Sequence, residues 1–168
     1  MDITRKDRIL LINQYRILAA LYPDEADHYN MLIQILENGY ELFYSMIDEW
    51  ICDDMPSEDG KFVLDILVLY RAIEDFKRAH PDSEMKNYTY SYFRGFDGND
   101  ETMYMAFARF LINEQGKFAE QQQYLSKNDS MNSHVPMIWK YRKMINKWEE
   151  LGKSYQLSEE NVKQIIKA

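Results

Sequence analysis

Three histidines, a single thiol and one charged turn are the residues of this chain whose types could do chemistry. A protein metal site needs several donors that one helix or turn can bring together. His28, His80 and His134 lie far apart and share no such spacing, so surface or capping roles are expected of them. Asp97, Asn99 and Glu101 begin like a calcium loop, but its sixth position is Thr102 instead of Gly and its twelfth is Ala108 instead of Glu. Helix capping accounts for these residues better, and no metal or cofactor is expected. Cys52 sits among Asp48, Glu49, Asp53 and Asp54, whose charges oppose the thiolate that a nucleophile requires. Arg71 and His80 are too far apart for the Arg–His pairing of helical ribonucleases. Arg94-Gly95-Phe96-Asp97 joins a cation, a flexible turn, an aromatic ring and an acid on one loop. With Arg109 or the cations of 140–147 holding an anion and Asp97 moving a proton, this set would suit an enzyme acting on RNA or another phosphate ester. The structural alternative makes Phe96 a core plug and Asp97 a cap. Phosphate loops, nucleophile elbows and zinc-protease helices are absent from the sequence.

Charge narrows the partners. The net charge of −8 argues against a broad nucleic-acid surface. Between Arg16 and Lys61 there are eleven acids and no Lys or Arg, so the remainder of the chain is net positive. Lys140, Arg142, Lys143 and Lys147 cluster without an acid between Pro136 and Trp148, interleaved with Trp139, Tyr141 and Trp148. Self-repulsion in the acidic stretch is relieved only when cations come close. The basic segment of the same chain or of a neighbour is the best source of them. Trp50, Trp139, Lys140, Arg142, Lys143 and Lys147 are therefore the candidate interaction residues. A lone cysteine and the lack of a long apolar run point to the cytoplasm, with no membrane partner.

Helices must position these groups, because only 4 Pro and 6 Gly punctuate the chain and an all-β domain needs more turns. The first helix is predicted from a Thr4 cap to just before Pro23. Its apolar face is Leu11, Tyr15, Leu18 and Tyr22, widened by Ile12, Ile17 and Leu21. A second begins near Asp24 and stops at Asn38-Gly39, where a break is favoured over a kink. Ser57 is expected to cap a helix to about Ala79, apolar nearly all round and therefore central. Tyr88, Tyr90 and Tyr92 alternate with polar residues as a short strand would. Further helices follow a cap at Asn99 or Asp100, Pro136 and Ser158. The expected fold is all-α, one multihelical, bundle-like domain over residues 1–168 with about six to eight helices.

Several runs carry a wider resemblance: RILLINQYRIL (8–18), ILENGYELFY (35–44), VLDILVLYRAI (63–73), Gly-Phe-Asp (95–97), ARFLINEQGKF (108–118), IWKYRKMINKW (138–148) and LSEENVKQIIKA (157–168). In this order and over essentially the whole length, the chain resembles the YfbU-like family of bacterial proteins. The resemblance implies an all-α fold, a cytosolic setting and self-association, and brings no catalytic residues with it. A self-associating interaction or regulatory module, with an identical chain or another protein as partner, is the leading expectation. The phosphate-ester enzyme using Arg94, Asp97 and Arg109 is the alternative.

Overall fold

The computed structural model describes residues 3–168, and every named element among them is helical. Seven α-helices run in order: α1 (Arg5–Leu21), α2 (Ala26–Asn38), α3 (Ser45–Asp48), α4 (Ser57–Ala79), α5 (Thr102–Arg109), α6 (Ile138–Glu150) and α7 (Glu159–Lys167). Short 3-10 turns join several of them, and a π-helical turn, Phe110–Glu114, extends α5. The helices group into two compact units, Met1–Asp54 and Met55–Ala168.

In the first unit, α1 and α2 form an antiparallel hairpin whose ends are set by local chemistry. The Thr4 hydroxyl accepts from the Asp7 amide at 3.2 Å and the Asp7 carboxylate accepts from the Thr4 amide at 3.0 Å, a reciprocal cap. At the same end of the hairpin α2 stops at Gly39, which takes the left-handed conformation (φ 67°). The Arg8 guanidinium donates to the freed Leu36 carbonyl at 3.1 Å. This is the break at Asn38-Gly39. Leu32, Ile35, Leu36, Tyr44 and Ile47 make a small core, with Leu11, Ile12 and Tyr15 of α1 packed against it. Ile17 and Leu21 do not widen that face. They are exposed, with Leu10, on the opposite side of α1.

In the second unit, α4 is the spine. Val63, Ile66, Leu67, Tyr70 and Ile73 have no more than a trace of exposed surface, and Leu69, Ala72 and Phe76 extend the burial over more than half of the helix circumference. Its N-terminus differs from expectation: Pro56 occupies the capping position and Ser57 is already helical, with no side-chain cap. The α5 and α6 helices pack on α4, and α7 packs on α6. Ser158 caps α7 reciprocally with Asn161, at 3.2 Å and 3.1 Å.

Residues 82–101 are where the sequence misleads. Tyr88, Tyr90 and Tyr92 form no strand. They lie in turns after a 3-10 segment, because neither edge of that stretch finds a partner ladder. Pairing occurs instead one step later, as a single parallel bridge between Phe96 and Asn132. The Phe96 amide donates to Met131 O and the Ser133 amide to Phe96 O, both at 3.0 Å. The two segments cross so closely that a Cβ on Gly95 (φ 84°) would stand 1.9 Å from the Met131 carbonyl oxygen. Only glycine fits there.

Gly95→Ala is therefore expected to cost at least about 3 kcal/mol. Gly152→Ala is the control, since Gly152 has a similar φ of 82° but nothing within 4 Å of its added Cβ. It should cost about 1–2 kcal/mol. Urea unfolding of both variants checks this, and equal losses would contradict the close-crossing argument.

Candidate functional site

The Gly-Phe-Asp turn could be catalytic only if its polar groups are free to meet a substrate. They are engaged elsewhere. Asp97 is buried, and its Oδ1 accepts from the Asn99 amide at 2.7 Å and the Asp100 amide at 3.3 Å, closing the turn that leads into α5. The Asn99 and Asp100 backbones are thus the capped groups. Glu101 occupies the capping position itself. Buried Glu101 also reaches across the sequence: its Oε1 accepts from the Met137 and Ile138 amides, each at 2.8 Å, at the start of α6. Its Oε2 accepts from the Asp97 amide at 3.0 Å. One carboxylate thereby satisfies the unpaired N–H groups of a helix N-terminus, where negative charge is favourable. Arg109 donates through Nε to Ser130 O at 2.8 Å, and the Arg94 guanidinium lies 5.7 Å from the centre of the Tyr92 ring. Arg94, Asp97 and Arg109 each serve a different contact, the first two local and the third tertiary.

Phe96 does plug the core, as the structural alternative expects. It is fully buried and packs edge-on to Phe93 and Tyr141, with ring centres 5.7 and 5.5 Å apart. Tyr141 donates to Gly95 O at 2.8 Å, so the ring cluster and the turn fix one another.

A buried polar cluster escaped the sequence reading. Glu74 of α4 is buried, and Lys77 one turn on donates to it at 2.5 Å, to Ser91 O at 3.0 Å and to the Tyr124 hydroxyl at 2.7 Å. The Tyr124 hydroxyl lies 2.9 and 3.0 Å from the two Glu74 oxygens. Tyr92 stacks on Tyr124 at 5.1 Å, and Lys127 Nζ stands 4.1 Å from the Tyr92 ring centre. Glu74 is one of five acids in α4, so residue type alone does not mark it in the sequence. Burial, then the Glu74 charge, pushes the Tyr124 phenol well above its ordinary value. The cluster ties two irregular segments to α4.

The histidines stay apart: His80 Nδ1 is 3.1 Å from Phe76 O, His134 Nε2 is 2.9 Å from Asp129 Oδ2, and the His28 ring meets Tyr29 edge-on. Cys52 is exposed and free. Among the described residues no three His, Cys, Asp or Glu side chains gather as a cation site.

The six interaction candidates divide. Trp50 and Trp139 are exposed at 77% and 55%. Lys140 is buried. It donates to Ile166 O at 3.1 Å and Ala168 O at 2.7 Å, covering the end of α7, and burial and then Lys143 hold its pKa below the ordinary lysine value. Arg142 lies over Phe62, Lys143 over Trp139, and Lys147 pairs with Glu150. The larger exposed surface lies in the first unit. Among the described residues, eleven of the sixteen exposed large apolar side chains precede Asp54, including Ile9, Leu10, Ile17, Leu21, Leu42 and Trp50.

A family model described as YfbU domain matches residues 1–168 of this chain. A UPF0304 protein of Methanocaldococcus jannaschii is 47% identical to it over 169 residues, covering 99% of this chain and 99% of the relative. No helix among the described residues is long and apolar enough to cross a membrane.

Buried Tyr70 and Tyr141, with half-buried Tyr124, set a pH limit on this arrangement. Burial raises the pKa of Tyr70, Tyr141 and Tyr124 above the ordinary 10.0, so the fold keeps protons that the unfolded chain has released. Their stabilising contribution is complete below pH 10.0 and is lost as pH rises beyond it. In an absorbance titration of the thirteen tyrosines, the exposed ones should ionise first and the buried ones only as helicity collapses. A single tyrosinate phase with helicity intact would show these phenols to be accessible.

Proposed function

We infer that this chain, which belongs to the YfbU family, is a self-associating interaction or regulatory module whose working surface is the exposed apolar face of the unit Met1–Asp54. The observation that supports this is the concentration of eleven exposed large apolar residues in that unit. Contiguous apolar surface marks interaction sites where scattered single residues do not, and the helical spacing sets Leu10, Ile17 and Leu21 on one side of α1. Leu10, Ile17, Leu21, Leu42 and Trp50 are each more than half exposed. Covering such a side chain contributes roughly 1–2 kcal/mol. Association at micromolar concentration needs about 8 kcal/mol net after the loss of rotational and translational freedom. Several of these side chains on both copies must therefore be covered together, which a second copy accomplishes.

The exposed acids of the same unit, with the cations of α6, then act on choice of partner and register more than on strength. Of the basic segment, Arg142, Lys143 and Lys147 remain for this with Trp139, since Lys140 is withdrawn beneath the end of α7. What supports this reading over a phosphate-ester enzyme is that Asp97 and Arg109 are occupied in building the fold. A cytoplasmic setting belongs to the proposal, consistent with the exposed thiol of Cys52.

Light scattering on the full chain tests it. A mass of two or more chains at micromolar concentration is expected, persisting at about 1 M salt where the Debye length falls to about 3 Å. A monomer at every salt concentration contradicts the proposal.

A further inference from the structure

The first helix is apolar on two opposite sides, and its own unit covers only one of them. Leu11, Ile12 and Tyr15 pack on the small core beside α2. Leu10, Ile17 and Leu21, spaced at i, i+7 and i+11, form a second stripe that is 57%, 60% and 65% exposed. Asn13 and Gln14 lie exposed between Leu10 and Ile17 on the same side. A helix with such a stripe is built for a second helix.

Charge selects the orientation of that helix. The start of α1 is net basic, with Arg5, Lys6 and Arg8 against Asp7, whereas the turn beyond its end is acidic, with Asp24, Glu25 and Asp27, and all but the half-buried Arg8 are exposed. Two copies laid parallel would set basic end on basic end and acidic turn on acidic turn. Two copies laid antiparallel would set each basic end beside the other's acidic turn. Resting on the self-association reading above, we propose that α1 pairs antiparallel with α1 of a second copy about a two-fold axis between Asn13 and Gln14. In that register Leu10 meets the partner's Ile17, and Lys6 lies beside the partner's Leu21 with its ammonium reaching the acidic turn. A two-fold interface is self-complementary, so residues near the axis meet their own copies. Asn13 and Gln14 suit that place, since each side-chain amide both donates and accepts hydrogen bonds. Polar residues within an apolar seam fix register and orientation at some loss of stability. They account for the interruption of the stripe at its midpoint.

The test uses the full chain, with size measured by analytical ultracentrifugation and folding by circular dichroism. Ile17→Glu is expected to weaken dimerisation at least a hundredfold with helicity retained, because the side chain it replaces lies outside the unit's own core. Lys6→Glu should weaken it about tenfold, and adding Glu25→Lys should restore it. A Gln14→Cys variant in a Cys52→Ser background should form a covalent dimer on mild oxidation, faster than Arg16→Cys in the same background. A dimer indifferent to Ile17→Glu, or equal cross-linking at the two positions, overturns the α1 pairing while leaving self-association through Leu42 or Trp50 standing. A wild-type monomer overturns both.

Discussion

Apolar surface must be covered, and the two units meet that constraint to different degrees. In Met55–Ala168 the α4 spine is buried over more than half of its circumference, and its ring neighbours Phe93, Phe96 and Tyr141 are buried as well. In Met1–Asp54 there is one hairpin and one small core, and α1 has no residue that is fully buried. Two helices cannot close around a helix that is apolar on both sides. The proposed self-association rests on that shortfall, while Asp97, Glu101 and Arg109 hold backbone groups of the fold.

The irregular segments of the second unit show why. Between α4 and α6 the chain uses few regular elements, so its backbone groups need individual partners. Glu101 supplies one set at the start of α6. Asn128 supplies another, donating to Phe93 O and accepting from the Met131 amide, each at 2.9 Å. Glu74, Lys77 and Tyr124 bind the same region to α4. Charged residues buried in this way contribute through what their loss would leave unpaired. A cluster of acid, base and phenol can look catalytic and still be a fastening. The engaged hydrogen bonds of Asp97 and Glu101 distinguish the two cases more clearly than residue type does.

The helices were legible from the sequence because their signals are local. Thr4 and Ser158 cap, Gly39 breaks, and α4 repeats its apolar residues at the helical period. The tyrosines at 88, 90 and 92 have strand spacing but no neighbouring strand, and pairing partners are not a local property. Glu101 reads as part of a weak calcium loop because its true partners lie more than thirty residues downstream. Lys140 reads as one cation among four, although only tertiary packing buries it. On α1 the apolar pattern identifies residues that require cover without saying what covers them. Ile17 and Leu21 therefore read as part of the Leu11–Tyr15 face, and only the packing of α1 on α2 separates them. The candidate interaction surface was only partly visible for this reason, with Trp50 evident and Leu10 not.

In the proposed assembly the outward stripe of α1 is covered by another chain. Hydrogen exchange measured across a range of protein concentrations tests it most directly, with the amides of α4 as an internal standard already protected by the core. Exchange along Arg5–Leu21 is expected to slow as concentration rises through the micromolar range while α4 stays constant. Exchange in α1 that is the same at every concentration would contradict it.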